Sequence, residues 1–180
     1  YDQWTNEFGK KKVQWPLFRN NKMEPPRKDV YLTDLFTDEA TGFIDRHHDE
    51  PFFLYVAYNA IHHPWQVPGD YLERTRNLTK CENRNFIDAM VLAMDDGLGR
   101  IYATLERHDI LDNTVIIFLS DNGSPRGQGL VQKKKDESIE RMDGWDYMSN
   151  TAGLRGFKGD TYEGGIRVPF TMRWPGQIEP

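Results

Sequence analysis

Residues 114–123 read Thr-Val-Ile-Ile-Phe-Leu-Ser-Asp-Asn-Gly. After the threonine, the run to residue 119 is apolar, with β-branched and aromatic side chains, which predicts a strand buried on both faces. Residues 120–123 favour a turn, because serine, aspartate, asparagine and glycine all support tight backbone reversals. The stretch therefore predicts a central strand with polar groups at its carboxyl end.

Two elements upstream of this stretch indicate the fold class. Residues 83–108 have the strongest helical period in the chain, and residues 52–58 read Phe-Phe-Leu-Tyr-Val-Ala-Tyr, a second run of the buried-strand type. The apolar face of the predicted helix carries Phe86, Met90, Ala93, Met94, Ile101, Tyr102 and Leu105. Strand, helix and strand in this order predict an α/β fold, and we expect a mostly parallel sheet flanked by helices.

The remaining segments extend this framework on both sides. A shorter helix is predicted from Asp34, with Thr33 as N-cap and His47 and His48 in the last turn, where positive charge suits the helix dipole. Residues 166–174 predict a further strand. Residues 1–30 predict an irregular segment or insertion, and residues 128–150 predict a long loop or lid.

Composition excludes several classes of protein. The 180 residues have a formal net charge of -5 and scattered basic residues, which argues against a nucleic-acid partner. Apolar runs are far shorter than the roughly 20 residues that span a bilayer. The single cysteine, Cys81, rules out an internal disulfide framework and a CxxC site within these residues.

The hydrophobic content is low for a chain that has to cover a sheet on both faces. Hydrophobic residues make up 38%, and the mean hydropathy is -0.74. Both ends of the sequence look cut, so we expect residues 1–180 to be an incomplete part of one domain, with the sheet and the loops at its edge in residues 31–180.

Oxygen donors follow the predicted strand at 114–119. Because ligands of open α/β sheets bind beyond the carboxyl ends of strands, Asp121 and Asn122 are candidate ligands for Ca²⁺ or Mg²⁺. The alternative is structural, since Asp-Asn-Gly is itself a favoured turn sequence.

A histidine pair follows the predicted strand at 52–58. His62 or His63 is a candidate hydrogen-bond donor to an anionic substrate or its leaving oxygen, and Trp65 is a candidate apolar wall beside it. The alternative is that the pair is solvated or part of the scaffold.

A glycine-rich segment runs through residues 153–165, which read Gly-Leu-Arg-Gly-Phe-Lys-Gly-Asp-Thr-Tyr-Glu-Gly-Gly. Lys158 lies between two glycines and is a candidate positive charge against a tetrahedral anion. Arg155 and Arg167 are further candidate anion contacts or partners for Asp160 and Glu163, and for Arg167 we favour the structural role.

Other polar groups predict structure more than chemistry. Asp95 and Asp96 are adjacent in a helix and diverge by about 100°, so we expect capping groups or surface partners for Arg100 rather than a metal site. His108 is expected to be structural. Residues 77–79 read Asn-Leu-Thr, a glycosylation sequon that has meaning only in a secreted eukaryotic protein.

Three motifs in this order resemble the formylglycine-dependent sulfatases of the alkaline phosphatase superfamily. Residues 51–68 read Pro-Phe-Phe-Leu-Tyr-Val-Ala-Tyr-Asn-Ala-Ile-His-His-Pro-Trp-Gln-Val-Pro and resemble the family's histidine loop. Residues 118–123 resemble its metal-binding strand end. Residues 154–169, Leu-Arg-Gly-Phe-Lys-Gly-Asp-Thr-Tyr-Glu-Gly-Gly-Ile-Arg-Val-Pro, resemble its lysine loop.

The resemblance implies an alkaline-phosphatase-like fold and roles for individual residues. Asp121 and Asn122 would supply two ligands to Ca²⁺, with Mg²⁺ as an alternative, while His62 and Lys158 would contact the sulfate and its ester oxygen. His63 stands where the family often has a small polar residue. The family's nucleophile is a Cys or Ser followed by x-Pro-x-Arg and oxidised to formylglycine. Cys81 is followed by Glu-Asn-Arg and does not match.

The resemblance therefore predicts hydrolysis of sulfate esters by a parent enzyme and no activity for these residues alone. Sulfated glycans and small aryl sulfates are both candidate substrates, and exported family members favour a periplasmic, secreted or lysosomal location. The alternatives are a phosphoester hydrolase or transferase of the same superfamily and a non-catalytic anion-binding protein.

Overall fold

The computed structural model describes residues 17–25, 30–62, 65–78, 82–125, 131–133, 139–141, 151 and 153–179. Two compact units divide the chain. The first contains Tyr1–Lys80 and Asn85–Asp109, and the second contains Cys81–Arg84 and Ile110–Pro180. Each unit has its own elements and is described by itself.

Helix α1 spans Leu32–His47 in the first unit and buries one face. The buried positions recur every three to four residues, as expected for a helix with one face in the core: Thr33, Thr37, Ala40 and Ile44. The prediction of Thr33 as N-cap is wrong, because the helix begins two residues earlier than predicted, at Leu32, with Tyr31 at the N-cap. Thr33 instead lies in the first turn of the helix, where its side chain is buried.

Helix α2 spans Gly69–Thr75 and helix α3 spans Glu82–Arg107. The predicted long amphipathic helix is confirmed within one residue at each end, whereas α2 was not predicted. The core of this unit combines buried residues of α3 with Tyr31 and Val67. The side chains of Trp65 and Tyr71 pack against that cluster from its edge.

Helices α1 and α3 meet at a glycine. A Cβ atom added at Gly97 would lie 2.5 Å from Thr37 Oγ1 and 3.2 Å from Tyr58 Oη. The Thr37 hydroxyl donates to the Thr33 carbonyl over 2.8 Å and lies 2.9 Å from the Tyr58 hydroxyl. Glycine at 97 therefore leaves the space that this buried hydrogen-bonded pair occupies.

Residues 52–58, the predicted strand, lie in no helix or strand and are not hydrogen-bonded as a strand to any described residue. Their side chains alternate between exposed and half-buried, and Phe53 and Tyr55 are 89% and 76% exposed. The prediction of a strand buried on both faces is therefore wrong for the described part of the chain. An apolar run favours burial, but a strand also needs a neighbour, which a run by itself does not specify.

Two predicted strands pair in the second unit. Strand β3 spans Ile116–Leu119 and strand β6 spans Phe170–Arg173, with Ile116 opposite Arg173 and Leu119 opposite Phe170. The pairing is antiparallel, as it is in every described sheet, so the prediction of a mostly parallel sheet is not met by the described residues. The prediction of a strand buried on both faces at residues 114–119 is also wrong for the described part of the chain, because Ile117, Phe118 and Leu119 are exposed. An apolar run locates the strand, but the direction of pairing and the cover on each face depend on distant segments of the chain.

Hairpins lie in two segments predicted to be irregular. Strands β1 and β2, Phe18–Arg19 and Lys22–Met23, join through Asn20 and Asn21, whose φ values of 48° and 65° suit a tight two-residue turn. Strands β4 and β5, Val131–Lys133 and Ile139–Arg141, also pair antiparallel. The remainder of both predicted irregular segments lies outside the described residues, apart from residues 17, 24, 25 and 30, which are in no helix or strand.

Asp96 of α3 has a different partner from the one predicted. Asp96 pairs with Arg74 of α2, and Arg100 pairs with Asp38 of α1. The expected pairing of Asp96 with Arg100 is therefore wrong, because Asp96 pairs with α2 and Arg100 pairs with α1. Within the described residues, no helix is both long and apolar enough to cross a membrane.

Candidate active site

The end of strand β3 presents two oxygen-bearing side chains. Asp121 is exposed and Asn122 is half-buried. The Ser120 hydroxyl donates to the Asn122 carbonyl oxygen over 2.9 Å and closes the turn. Because that hydrogen bond uses the main chain of Asn122, both the Asp121 carboxylate and the Asn122 amide stay available as ligands.

The glycine-rich segment closes on itself before it reaches β6. The Gly164 amide donates to the Arg155 carbonyl over 2.8 Å, and the Asp160 amide donates to the Phe157 carbonyl over 2.9 Å. Gly156 and Gly159 have φ values of +89° and +93°, a backbone region that residues other than glycine rarely adopt. The short helix α4, Glu163–Ile166, follows these turns and was not predicted.

The strand end and the glycine-rich segment are held together through the main chain. The Gly123 amide donates to the Gly165 carbonyl, and the Lys158 amide donates to the Ser124 carbonyl, each over 2.8 Å. A Cβ atom added at Gly123 would lie 1.9 Å from the Gly164 carbonyl oxygen. The structure thus brings the predicted metal ligands and the predicted lysine into one part of the second unit.

The cations of the glycine-rich segment differ in their partners. Arg167 lies 3.4 Å from a Glu163 carboxylate oxygen, the structural role favoured from the sequence. Arg155 instead stacks on Tyr162, with its guanidinium carbon 3.8 Å from the ring centroid. Lys158 is exposed, and no carboxylate lies within ion-pair distance of its ammonium in the part of the chain that the structure describes.

The predicted histidine loop lies in the first unit. His62 is exposed a few residues after the segment 52–58, and its amide donates to the Asn59 carbonyl over 2.9 Å. Trp65 is half-buried and packs against the core cluster, which gives it a structural contact beside any role in ligand binding. His63 lies outside the described residues.

A complete metal site is not formed by the described residues. No group of three or more histidine, cysteine, aspartate or glutamate side chains in those ranges is arranged to hold an ion. Asp121 and Asn122 therefore remain two predicted ligands of a Ca²⁺ or Mg²⁺ ion, and the described residues do not complete its coordination.

Tyr162 is the site residue that sequence reasoning missed. Its hydroxyl accepts a hydrogen bond of 2.7 Å from Arg155 Nη2, and its carbonyl accepts one of 2.8 Å from the Gly165 amide. A tyrosine between polar residues has no period that would reveal such a contact. The position of Tyr162 next to the glycines in the sequence was the available signal, and it does not identify Arg155 as its partner.

The sequence matches the sulfatase family over residues 2–180. The chain belongs to the sulfatase family. It is 35% identical over 153 residues to an N-acetylgalactosamine-6-O-sulfatase of Bacteroides thetaiotaomicron, covering 85% of this chain and 27% of that protein. It is 36% identical over 155 residues to an arylsulfatase of Hemicentrotus pulcherrimus, covering 86% of this chain and 24% of that protein.

Solved structures place this sulfatase chain in the same fold. The crystal structure of Ps i-CgsB in complex with k-i-k-neocarrahexaose matches with a TM-score of 0.70 and 31% identity, covering 93% of this chain and 34% of that one. A PsFucS1 sulfatase from Pseudoalteromonas sp. matches with a TM-score of 0.59 and 29% identity, covering 87% of this chain and 28% of that one. The sulfatase chain thus spans about a quarter of the length of the curated relatives it matches.

Proposed function

We propose that the whole protein to which this chain belongs hydrolyses sulfate esters. The observation that carries the proposal is the main-chain hydrogen bond from Lys158 to Ser124, which holds the backbone of Lys158 against the turn that contains Asp121 and Asn122, in a chain of the sulfatase family. A cation, together with hard oxygen donors that can hold a metal ion, suits a tetrahedral sulfate ester, which carries one negative charge.

Lys158 and His62 are the proposed catalytic residues of this chain. The Lys158 ammonium would bind the sulfate oxygens and lower the energy of the charge that develops as the ester bond breaks. The His62 imidazole would donate a hydrogen bond or a proton to the departing ester oxygen. These are the places where donors help most, because an alkoxide is a poor leaving group when it is not stabilised.

Asp121 and Asn122 fit one part of a Ca²⁺ or Mg²⁺ site. A carboxylate and an amide oxygen are hard donors of the kind these ions bind, and both side chains are free of other hydrogen bonds within the described residues. Ca²⁺ takes roughly six to eight oxygen ligands, so most of its ligands would come from other residues, from substrate or from water. When bound, the ion would neutralise charge on the sulfate group.

The nucleophile is proposed to be a formylglycine supplied by another part of the whole protein. Cys81 is followed by Glu-Asn-Arg and lacks the proline of the expected Cys/Ser-x-Pro-x-Arg sequence. The described chain would then contribute binding, orientation and leaving-group stabilisation, while bond formation to sulfur would depend on the other part.

Sulfated glycans are the proposed substrate class. The relatives include sulfatases named for N-acetylgalactosamine 6-sulfate, and a solved relative is in complex with k-i-k-neocarrahexaose. Arg155 and Trp65 are the proposed further substrate contacts of this chain, and His63 is proposed as a third.

Hydrolysis of matched esters tests the proposed function. The purified whole protein, loaded with Ca²⁺, is given 4-nitrophenyl sulfate, a 6-sulfated N-acetylgalactosamine and 4-nitrophenyl phosphate. We expect release of sulfate from at least one sulfate ester and a much slower release of phosphate. Faster phosphate release, or no sulfate release from a protein that carries formylglycine, would refute the assignment.

A further inference from the structure

Arg155 differs from most other arginines of the described chain in the groups that contact its guanidinium. Seven others lie against a carboxylate: Arg19, Arg74, Arg76, Arg100, Arg107, Arg167 and Arg173. The guanidinium of Arg155 instead meets an aromatic ring and a hydroxyl. Its positive charge is therefore held in place without being cancelled by an acidic side chain.

Nearby acidic groups are already engaged elsewhere. Glu163 lies against Arg167, and an Asp160 carboxylate oxygen accepts a hydrogen bond of 3.0 Å from the Phe157 amide. Both were candidate partners for Arg155 by sequence distance. Their engagement leaves Arg155 and Lys158 as two exposed cations on one short segment.

Tyr162 orients the Arg155 side chain in two ways. The ring covers one face of the guanidinium at 3.8 Å, and the hydroxyl accepts one of its N–H groups at 2.7 Å. The main chain fixes both residues, because the Arg155 and Tyr162 carbonyls accept hydrogen bonds from Gly164 and Gly165. A guanidinium carries five N–H donors, so several remain for an outside acceptor.

We propose that Arg155, positioned by Tyr162, binds a second anionic group of the substrate, next to the sulfate that is hydrolysed. This inference rests on the proposed function and narrows its substrate class to glycans that carry a further sulfate or a carboxylate. Lys158 lies three positions after Arg155, so their Cα atoms are at most about 11 Å apart. That reach suits charged groups on one sugar or on neighbouring sugars.

The chemistry of arginine favours this role over a single point contact. Its planar fork of donors matches the paired oxygens of a sulfate or carboxylate, and stacking on an aromatic ring lowers the entropy lost when the anion binds. Lysine at this position would keep the charge and lose the fork. Arg155→Lys is therefore a direct test of geometry.

Kinetics with three substrates test the inference in the whole, Ca²⁺-loaded protein. The substrates are 4-nitrophenyl sulfate with one anionic group, a disulfated disaccharide, and a monosulfated disaccharide that contains a uronate. We expect Arg155→Ala to raise KM for at least one disaccharide by roughly 10-fold to 100-fold, with kcat nearly unchanged and little effect on the aryl ester. The disaccharide with the larger loss identifies the second anion as sulfate or carboxylate.

Two further variants separate positioning from loss of fold. Tyr162→Phe keeps the ring and removes the acceptor, so we expect a smaller rise in KM in the same direction. Arg167→Ala removes another exposed cation of the segment and serves as the control, with no preference among the substrates. Equal losses on all three substrates for Arg155→Ala, or no loss on any, would overturn the inference.

Binding measurements keep this inference separate from the proposed function. If the wild type hydrolyses none of the sulfates, the proposed function fails, and calorimetry with the same three compounds still tests Arg155. Weaker binding of the disaccharides alone to Arg155→Ala would support the second-anion contact. Unchanged binding of all three compounds would overturn it.

Discussion

The backbone amide of Lys158 donates a hydrogen bond of 2.8 Å to the carbonyl oxygen of Ser124. The two residues are far apart in sequence, and the bond does not depend on either side chain. It fixes where the Lys158 side chain leaves the main chain, close to the Asp121 and Asn122 turn. The position of the lysine is therefore a property of how closely two backbone segments approach.

Substitution of Gly123 by alanine should disrupt that approach. The added Cβ would lie 1.9 Å from the Gly164 carbonyl oxygen, so one of the two backbone segments would have to move. We expect Gly123→Ala to lower kcat/KM of the whole protein by 10-fold or more, because positioned donors lose much of their effect when displaced. Steady-state kinetics on a sulfate ester measures this.

Gly69→Ala is the matched control for Gly123→Ala. Nothing lies within 4 Å of a Cβ at Gly69, which begins helix α2. We expect unchanged turnover for this variant, and circular dichroism of both proteins checks that they fold. Wild-type turnover by a folded Gly123→Ala protein would contradict the importance of the close approach.

Removal of either proposed catalytic side chain should reduce turnover strongly. We expect Lys158→Ala and His62→Ala to lower kcat by about 100-fold or more, since each removes a donor to charge that develops on the ester or leaving oxygen. Lys22→Ala, an exposed lysine in the β1–β2 hairpin, is the control and should retain full activity. Near-normal turnover in either alanine variant would remove that residue from the mechanism.

Removal of the metal should inactivate the enzyme reversibly. Dialysis against a chelator is expected to abolish sulfate release, and added Ca²⁺ or Mg²⁺ is expected to restore it, because oxygen donors release these ions readily. Asp121→Ala should raise the Ca²⁺ concentration needed for half-maximal recovery. An Asp121→Ala protein that recovers at the wild-type Ca²⁺ concentration would exclude Asp121 as a ligand.

Two glycines of helix α3 should respond to alanine in opposite ways. A Cβ at Gly97 would lie 2.5 Å from the hydroxyl oxygen of Thr37, a fully buried residue. We expect Gly97→Ala to cost about 1–3 kcal/mol of unfolding free energy, as overpacking does. At Gly99 the space is open, and Gly99→Ala should add about 0.5–1 kcal/mol through helix propensity.

Thermal unfolding of the two glycine variants gives the comparison. The melting temperature should fall for Gly97→Ala and rise for Gly99→Ala. A rise for both would mean that the contact between α1 and α3 accommodates a methyl group, which the buried hydrogen bonds of Thr37 argue against.

Asp45 should make stability depend on pH. Hydrogen bonds with the His108 ring and from Arg107 lower the pKa of Asp45 from its usual 3.8. Because the folded carboxylate binds its proton more weakly than the unfolded one, its stabilisation is present above pH 3.8 and is lost as the pH falls through the lower folded pKa. Asp45→Asn should therefore be less stable than the wild type at neutral pH and should approach it in acid.

Asp34, in the same helix, should make stability depend on pH in the opposite direction. Burial raises its pKa above 3.8, although the hydrogen bond from Tyr71 acts in the other direction. The raised pKa means that its contribution is present below pH 3.8 and is lost as the pH rises through the folded value. Asp34→Asn keeps an oxygen acceptor for the Tyr71 hydroxyl, so it should gain stability relative to the wild type as the pH rises.

Urea midpoints between about pH 3 and pH 7 distinguish these two carboxylates. The urea midpoint of the variant minus that of the wild type should fall as the pH rises for Asp45→Asn. For Asp34→Asn the same difference should increase as the pH rises. Parallel trends would show that one of the two local environments differs from that described.

Local patterns determined which segments are helical and which residue types surround the site. The period of residues 83–108 predicted helix α3 within one residue, because side chains three and four apart share a helix face whatever lies elsewhere. The apolar runs located β3 and β6, and turn chemistry placed Asp121 and Asn122 at a strand end. The order of the motifs was also enough to predict the sulfatase family.

Only the tertiary structure decided how these pieces meet. The antiparallel pairing of Ile116 with Arg173, the hydrogen bond from Lys158 to Ser124 and the stacking of Arg155 on Tyr162 could not be predicted from sequence. A period or a turn depends on residues within a few positions of one another, whereas strand direction and close backbone contact depend on the path of the chain between distant segments. The sequence by itself thus determined the elements and the chemical groups, and tertiary packing decided their neighbours and directions.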